Sequence, residues 1–253
     1  MNKINIALAP FLRSCPSVVT LGIRPCFIDY SNEEMDLIRS AHRIFFPSIR
    51  FVDVFQAAGK PTFPHPWTYR YQRSRVMQHI VFKYLALPHP RSRIYFGKQK
   101  REIPADFMLP CLVMGPRVKS GNVHRIHTND DLDANASKYN PVIVQEFVEW
   151  DERFRLVCVN FECIAAFRCD PVHDGYNSFV SIESNHGTAK MLIAATLPWL
   201  QQVRLDDILI EWGRAAGSWQ LIQMKRPPLK WQACDGVANR HVHICRLIDL
   251  GQL

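Results

Sequence analysis

Apolar positions along the chain change period repeatedly, and the changes mark out helices and strands in alternation. Ser31-Asn32-Glu33-Glu34 is a capping box in which Ser31 caps and Glu34 reaches back, and Met35, Leu37, Ile38 and Ala41 follow at helical spacing. Ile44-Phe45-Phe46 predicts a strand, and Phe51 to Ala58 a helix stopped by Gly59. Arg24 to Ile28 reads as another strand. So does the N-terminal segment, whose short apolar patch Pro10 and Arg13 interrupt. Residues 1–61 therefore read as a small α/β unit. Lys60 to Pro66 is proline-dense and predicts an extended link.

Residues 62–253 form the larger part, divided near residue 140. Val76, Ile80, Val81 and Tyr84 share one side of a helix over Tyr69–Leu85, and Phe107 to Met114 predicts a strand. Thr128 caps a short helix that ends near Tyr139. Val142–Val144, Leu156–Val159 and Cys163–Phe167 are three further strands, the last two joined by a turn at Asn160-Phe161-Glu162. Asp174-Gly175 is a turn signal, and a helix over Thr188–Leu197 is expected to stop before Pro198. Asp207–Trp212 and Trp219–Lys225 form a last strand pair around a turn within Gly213–Gly217. Between Glu146 and Arg155, charges crowd beside aromatics more densely than a bare fold needs.

Composition narrows the class. With 253 residues, 47% hydrophobic and 21% charged, the chain is globular, and no apolar run reaches the roughly 18 residues of a membrane span. The net charge of +8 is spread through the chain and suits a phosphate-rich ligand, nucleic acid or an acidic surface. The eight cysteines include no Cys-x-x-Cys pair and several lie in apolar runs, which points to free thiols and a reducing cytoplasm.

Gln145-Glu146-Phe147-Val148, Arg153-Phe154-Arg155 and Ala165-Ala166-Phe167-Arg168 together resemble the ATP-grasp superfamily, especially the RimK-like carboxylate-amine ligases. The resemblance runs over about residues 1–230. It implies an α+β ATP-grasp fold behind a small N-terminal α/β (pre-ATP-grasp) domain, with ATP as cofactor and a carboxylate or amine as substrate. Glu146, Phe147, Val148 and Glu149 take the place of the adenine-binding hinge. Ser74-Arg75 stands where the family has Asp-Lys, which gives Arg75 a phosphate contact. Gly115 to Val123 replaces the glycine-rich loop, with Arg117 and Lys119 supplying charge and Met114 in place of a lysine. Arg155 and Arg168 are expected to hold the γ-phosphate and acyl-phosphate oxygens. The metal strands map onto Asp207 and onto Gln223-Met224-Lys225, which replaces Glu-x-Asn. That substitution weakens the case for Mg²⁺, and Lys225 is a candidate to place its ammonium where a metal would sit. Ser184-Asn185-His186-Gly187 matches a substrate-side loop.

One further cluster stands outside the resemblance. His241-Val242-His243-Ile244-Cys245, read as a strand, would put three metal-ligand side chains on one face, although a half-buried strand predicts the same pattern. Trp199, Trp212, Trp219 and Trp231 read as packing residues, and Trp150 as a border of the adenine pocket. Three functions stay open on the sequence: an ATP-dependent ligase working through an acyl-phosphate, a nucleotide-sensing or partner-binding pseudoenzyme on the same fold, and a basic RNA-associated protein. No RNA-binding motif supports the third.

Overall fold

The computed structural model describes residues 4–119, 121–169, 179–183, 186–228 and 239–253. The expected features at Asp174-Gly175, Ser184-Asn185, Trp231 and Cys234 lie outside these residues.

The chain begins with a parallel sheet. Strands β1 (Asn5–Ala7), β2 (Val19–Thr20), β3 (Arg43–Phe45) and β4 (Thr62–Phe63) lie in the order β2-β1-β3-β4, and helices α1 (Asn32–Ser40) and α2 (Ile49–Ala57) precede and follow β3. The capping box forms as the spacing requires: the Glu34 amide donates to Ser31 Oγ at 3.2 Å, and Ser31 N–H donates to Glu34 Oε2 at 2.9 Å. Ile6, Leu8, Ile38, Ile44, Phe51 and Phe55 fill one side of the sheet. Phe27 to Asp29 is a 3-10 turn rather than the expected strand. Its Phe27 ring stacks on Phe51 at 4.0 Å, so its apolar residues serve a corner and not a ladder.

Two helices follow where one was expected, α3 (Pro66–Arg73) and α4 (Arg75–Tyr84). Ser74 between them is extended, caps α4 by accepting from the Met77 amide, and bridges to Arg117. Local capping thus breaks a run whose apolar periodicity is continuous. Strand β5 (Ser92–Tyr95), the short helix α5 (Ile103–Asp106), β6 (Cys111–Met114), β7 (Val123–Ile126), α6 (Asn129–Ala136) and β8 (Val142–Glu146) build an antiparallel sheet in the order β5-β8-β6-β7. The expected strand from Phe107 is shorter than its apolar run, because Pro110 just before β6 has no amide to donate to a ladder.

The chain then crosses to a second antiparallel sheet. Strands β9 (Glu152–Val159), β10 (Glu162–Cys169) and β11 (Phe179–Ile182), helix α7 (Gly187–Gln202), β12 (Asp207–Ala215) and β13 (Ser218–Lys225) give the order β11-β10-β9-β12-β13. Turns at Asn160-Phe161 and Ala216-Gly217 have positive φ at both positions, the geometry that matches strand twist in a tight hairpin. Helix α7 continues through Pro198, past its expected end, with Trp199 and Leu200 buried in the core beyond it. Burial of that last turn outweighs the hydrogen bond proline removes. Asp206, just before β12, accepts the His65 amide at 2.9 and 3.0 Å and the Thr68 hydroxyl at 2.8 Å, which ties the segment after β4 to this sheet. The final helix α8 (Arg240–Asp249) packs Ile244, Leu247 and Ile248 against Ala7, Phe45, Phe63 and Val159.

That helix overturns the strand expected at His241 to Cys245. In α8, His241 and His243 do not share the alternating face the metal idea required, and His243 pairs with Glu162 at 3.6 Å. No cluster of three metal-ligating side chains occurs among the described residues. Among the described residues the cysteines are free, and no helix is long and apolar enough to cross a membrane.

Candidate functional site

One face of the five-stranded sheet carries a charged cluster. Register decides its membership: Glu211 on β12 lies opposite Arg155 on β9 and opposite Gln223 on β13, while Gly213 faces Arg153 and Leu209 faces Lys225. Directly paired residues point to the same side of a sheet, so Arg153, Arg155, Glu211, Gln223 and Lys225 converge. Between Glu211 and Trp212 the register shifts by one residue, leaving Ile222 as the extra residue of a bulge that brings Gln223 to Glu211.

Glu211 is wholly buried and is the carboxylate of this cluster. Arg153 Nη2 donates to its Oε1, Gln223 Nε2 to its Oε2 at 3.0 Å, and Arg155 Nε and Lys225 Nζ lie 3.5 and 3.7 Å from Oε2. Among the described residues, three partly buried cations gather around this one buried carboxylate. The consequence shows in their acidities. Burial, then repulsion from Arg153, pulls the Arg155 guanidinium down to about 10, and burial, then Arg155, Arg153 and Arg75, pulls the Lys225 ammonium down to about 8. An anion arriving here would relieve both.

Helix α4 connects this cluster to the loop between β6 and β7. Gln78 holds the Met224 main chain between Gln223 and Lys225. Arg75 Nη1 donates to the carbonyls of Arg117, Gly115 and Asn122 at 2.7, 3.3 and 3.3 Å, and the Arg75 amide to Pro116 O at 2.9 Å. Arg75 therefore braces the loop from beneath. Arg117 and Lys119 stand exposed on that loop, and Met114 is buried. Gly115 is required by packing: a Cβ there would meet the Tyr139 ring at 2.7 Å.

The crossing between the two sheets is the hinge segment. Glu146 is engaged on both sides by Arg91, whose amide donates to Oε1 at 2.7 Å and whose carbonyl accepts the Glu146 amide at 3.0 Å. The amides of Phe147, Val148 and Glu149 find no backbone acceptor among the described residues. They offer an unpaired main-chain edge. The Arg125 guanidinium lies 3.7 Å over the Phe147 ring and 3.9 Å from the exposed Glu149 carboxylate. Trp150 packs directly on Gly213, where a Cβ would sit 2.3 Å from the indole. That contact joins the hinge to the charged sheet.

Two expected site residues lie elsewhere. Arg168 pairs with Phe154, whereas Arg155 pairs with Phe167, so the two arginines point to opposite faces of the sheet. Asp207 is buried with both oxygens on Arg240: Nε donates to Oδ1 at 2.7 Å and Nη2 to Oδ2. It is a partner of α8 and not a free metal ligand. Glu211 and Arg153 were missed; the available signal was a lone carboxylate inside the apolar run Ile208-Leu209-Ile210-Glu211-Trp212.

The donor set does not fit Mg²⁺. That ion takes an octahedral oxygen shell with one or two carboxylates, but Glu211 is already surrounded by three cations and an amide, and Asp207 is neutralised. A further cation placed there would be repelled.

This is the ATP-grasp fold. The chain superposes on D-alanine–D-alanine ligase from Bacillus anthracis complexed with ATP with a TM-score of 0.67, at 11% identity over 98% of this chain and 95% of that one. It is similar to a RimK domain ATP-grasp protein from Sphaerobacter thermophilus (TM-score 0.65, 13% identity, 88% and 90% covered). It is similar also to the ATP-grasp ligase PsnB, in a complex with minimal precursor, Mg and ADP (TM-score 0.65, 13% identity, 100% and 99% covered). No protein-family profile matches the sequence, and no curated protein matches it.

Proposed function

We propose that this protein binds ATP between its two antiparallel sheets and joins a carboxylate to an amine. The observation that carries the reading is the cluster in which the partly buried Arg153, Arg155 and Lys225 surround the buried Glu211, next to a braced loop bearing Arg117 and Lys119. In this reading the main chain of Phe147 and Val148 takes the adenine, with Glu146 and Glu149 setting the edge of its pocket. Arg117 and Lys119 hold the inner phosphates, and Arg155 and Lys225 hold the γ-phosphate. A substrate carboxylate oxygen attacks the γ-phosphorus and the bond to the bridging oxygen breaks, releasing ADP and leaving an acyl-phosphate. The amine attacks the acyl carbon, phosphate departs with the C–O electron pair, and the amine proton passes to solvent or phosphate. Fixed cations stabilise the charge that develops in both steps. The free thiols support a reducing cytoplasm as the working compartment.

The poor fit to Mg²⁺ favours a second reading, in which the nucleotide is bound and sensed but not consumed. Calorimetry with ATP and ADP, with and without Mg²⁺, tests both. ATP binding that persists in chelator is the expected result. No ATP binding under either condition would overturn the nucleotide site. Release of ADP and phosphate on adding an acid and an amine separates the ligase from the sensor.

A further inference from the structure

Outside the nucleotide site, a cleft of about 340 Å³ opens between the N-terminal sheet and the end of β13. Arg24, Arg50, Arg73 and Arg226 line it, and among the described residues no carboxylate does. Arg24 is oriented by Glu34 at 2.9 and 3.1 Å and by the Tyr30 ring at 5.2 Å, yet its buried Nε has no partner. Arg50 reaches only the Pro25 carbonyl, at 3.4 Å, and Arg73 and Arg226 are exposed and form no ion pair among the described residues. Helix α2 opens into the same cleft. Its cap residue Ser48 makes no side-chain capping bond, its first turn holds no acidic residue, and the buried Ser48 hydroxyl is without a partner. Tyr69 completes the wall.

Arg50, Arg73 and Arg226 have no matching carboxylate among the described residues and repel one another and the Glu34-paired Arg24, and the positive end of a helix dipole adds to the same field. Guanidinium forks and free helix amides are complementary to carboxylate and phosphate oxygens. A space of this size admits a small molecule and not a folded partner. The position of Arg226, one residue past Lys225, sets the cleft beside the cationic cluster.

We propose that this cleft binds a small acid with at least two anionic groups, carboxylate or phosphate. Its donor role, with one carboxylate presented toward Lys225, rests on the ligase reading; binding itself does not. A single anionic group would leave part of the arginine set unmatched, so the site selects against monocarboxylates.

Calorimetry on the full chain with citrate, glycerol 1,3-bisphosphate and butyrate tests this. Citrate or glycerol 1,3-bisphosphate is expected to bind at least about tenfold tighter than butyrate, and the stronger of the two identifies the anion type. The double variant Arg50→Ala/Arg73→Ala, both positions exposed, is expected to lose about tenfold in that affinity while its circular dichroism stays as in the parent. Butyrate binding as well as citrate, or unchanged affinity in the double variant, overturns the proposal. Nucleotide affinity is read separately. ATP binding without acid binding removes this inference alone, and acid binding without ATP binding removes the ligase reading alone.

Discussion

Gln78 pairs its side-chain amide with the main chain of Met224, donating Nε2 to the carbonyl at 2.8 Å and accepting the amide on Oε1 at 3.1 Å. Strand β13 is an edge strand, so its outward main-chain groups at Met224 have no neighbouring strand. Gln78 takes that place and thereby fixes the strand on which Gln223 and Lys225 stand. The Gln78→Leu variant leaves a buried donor and acceptor unsatisfied, a cost of roughly 1–3 kcal/mol. Urea unfolding is expected to show that loss, and ATP affinity is expected to fall with it, because the two side chains flanking Met224 lose their fixed position.

On the proposed reading, Lys225 gives the nucleotide site a pH dependence. Its acidity is drawn down to about 8 by burial and by neighbouring cations, so it is protonated at neutral pH and sheds its charge as pH rises. An anionic ligand binds the protonated form, and ATP affinity is therefore expected to decline as pH rises through about 8. The sign for stability is opposite. The folded chain loses this proton before the unfolded chain does, so the penalty of holding the ammonium is present below pH 8 and is relieved from there up to the ordinary lysine range. Calorimetric titration from pH 6.5 to 9.5 tests the binding side. A Lys225→Met variant with the same decline would assign it to another group.

The corrected register changes how a metal site would be rebuilt. Gln223 lies opposite Glu211, not Asp207, so Gln223→Glu with Lys225→Asn places a second carboxylate beside Glu211 and removes one of its cations. The double variant is expected to bind ATP more tightly with Mg²⁺ than without, whereas the parent shows little difference. Metal titrations at fixed ATP compare the two proteins. A parent that already depends strongly on Mg²⁺ would show that other ligands hold the ion.

Arg240 and Asp207 form a buried pair that fastens α8 to β12. Arg240→Met leaves Asp207 charged and unpaired, and is expected to cost about 3–5 kcal/mol. Adding Asp207→Leu to it should recover most of that loss, since an apolar pair of similar volume carries no desolvation penalty. Thermal unfolding of the parent, single and double variants tests the pair. If Asp207→Leu alone abolishes ATP binding without loss of stability, Asp207 belongs to the site after all.

Much of this protein was settled by local sequence. The capping box at Ser31, the turn at Asn160-Phe161, the final hairpin and the hinge crossing at Glu146 to Val148 depend on residues near one another in the chain, and short-range chemistry is enough to specify them. The charged cluster needed more. Counting back from Ala216-Gly217 pairs Glu211 with Ile222, and only the bulge moves Gln223 into place; a bulge depends on how a whole sheet twists and packs, which no local pattern encodes. Arg75, Arg168 and Asp207 carry the right charge in the right order, but tertiary contacts turned one toward loop carbonyls, one to the far face and one onto a helix 33 residues away. Charge can be read from sequence. Its direction and its partner come from packing, because a buried ionic group goes wherever the folded chain supplies its complement.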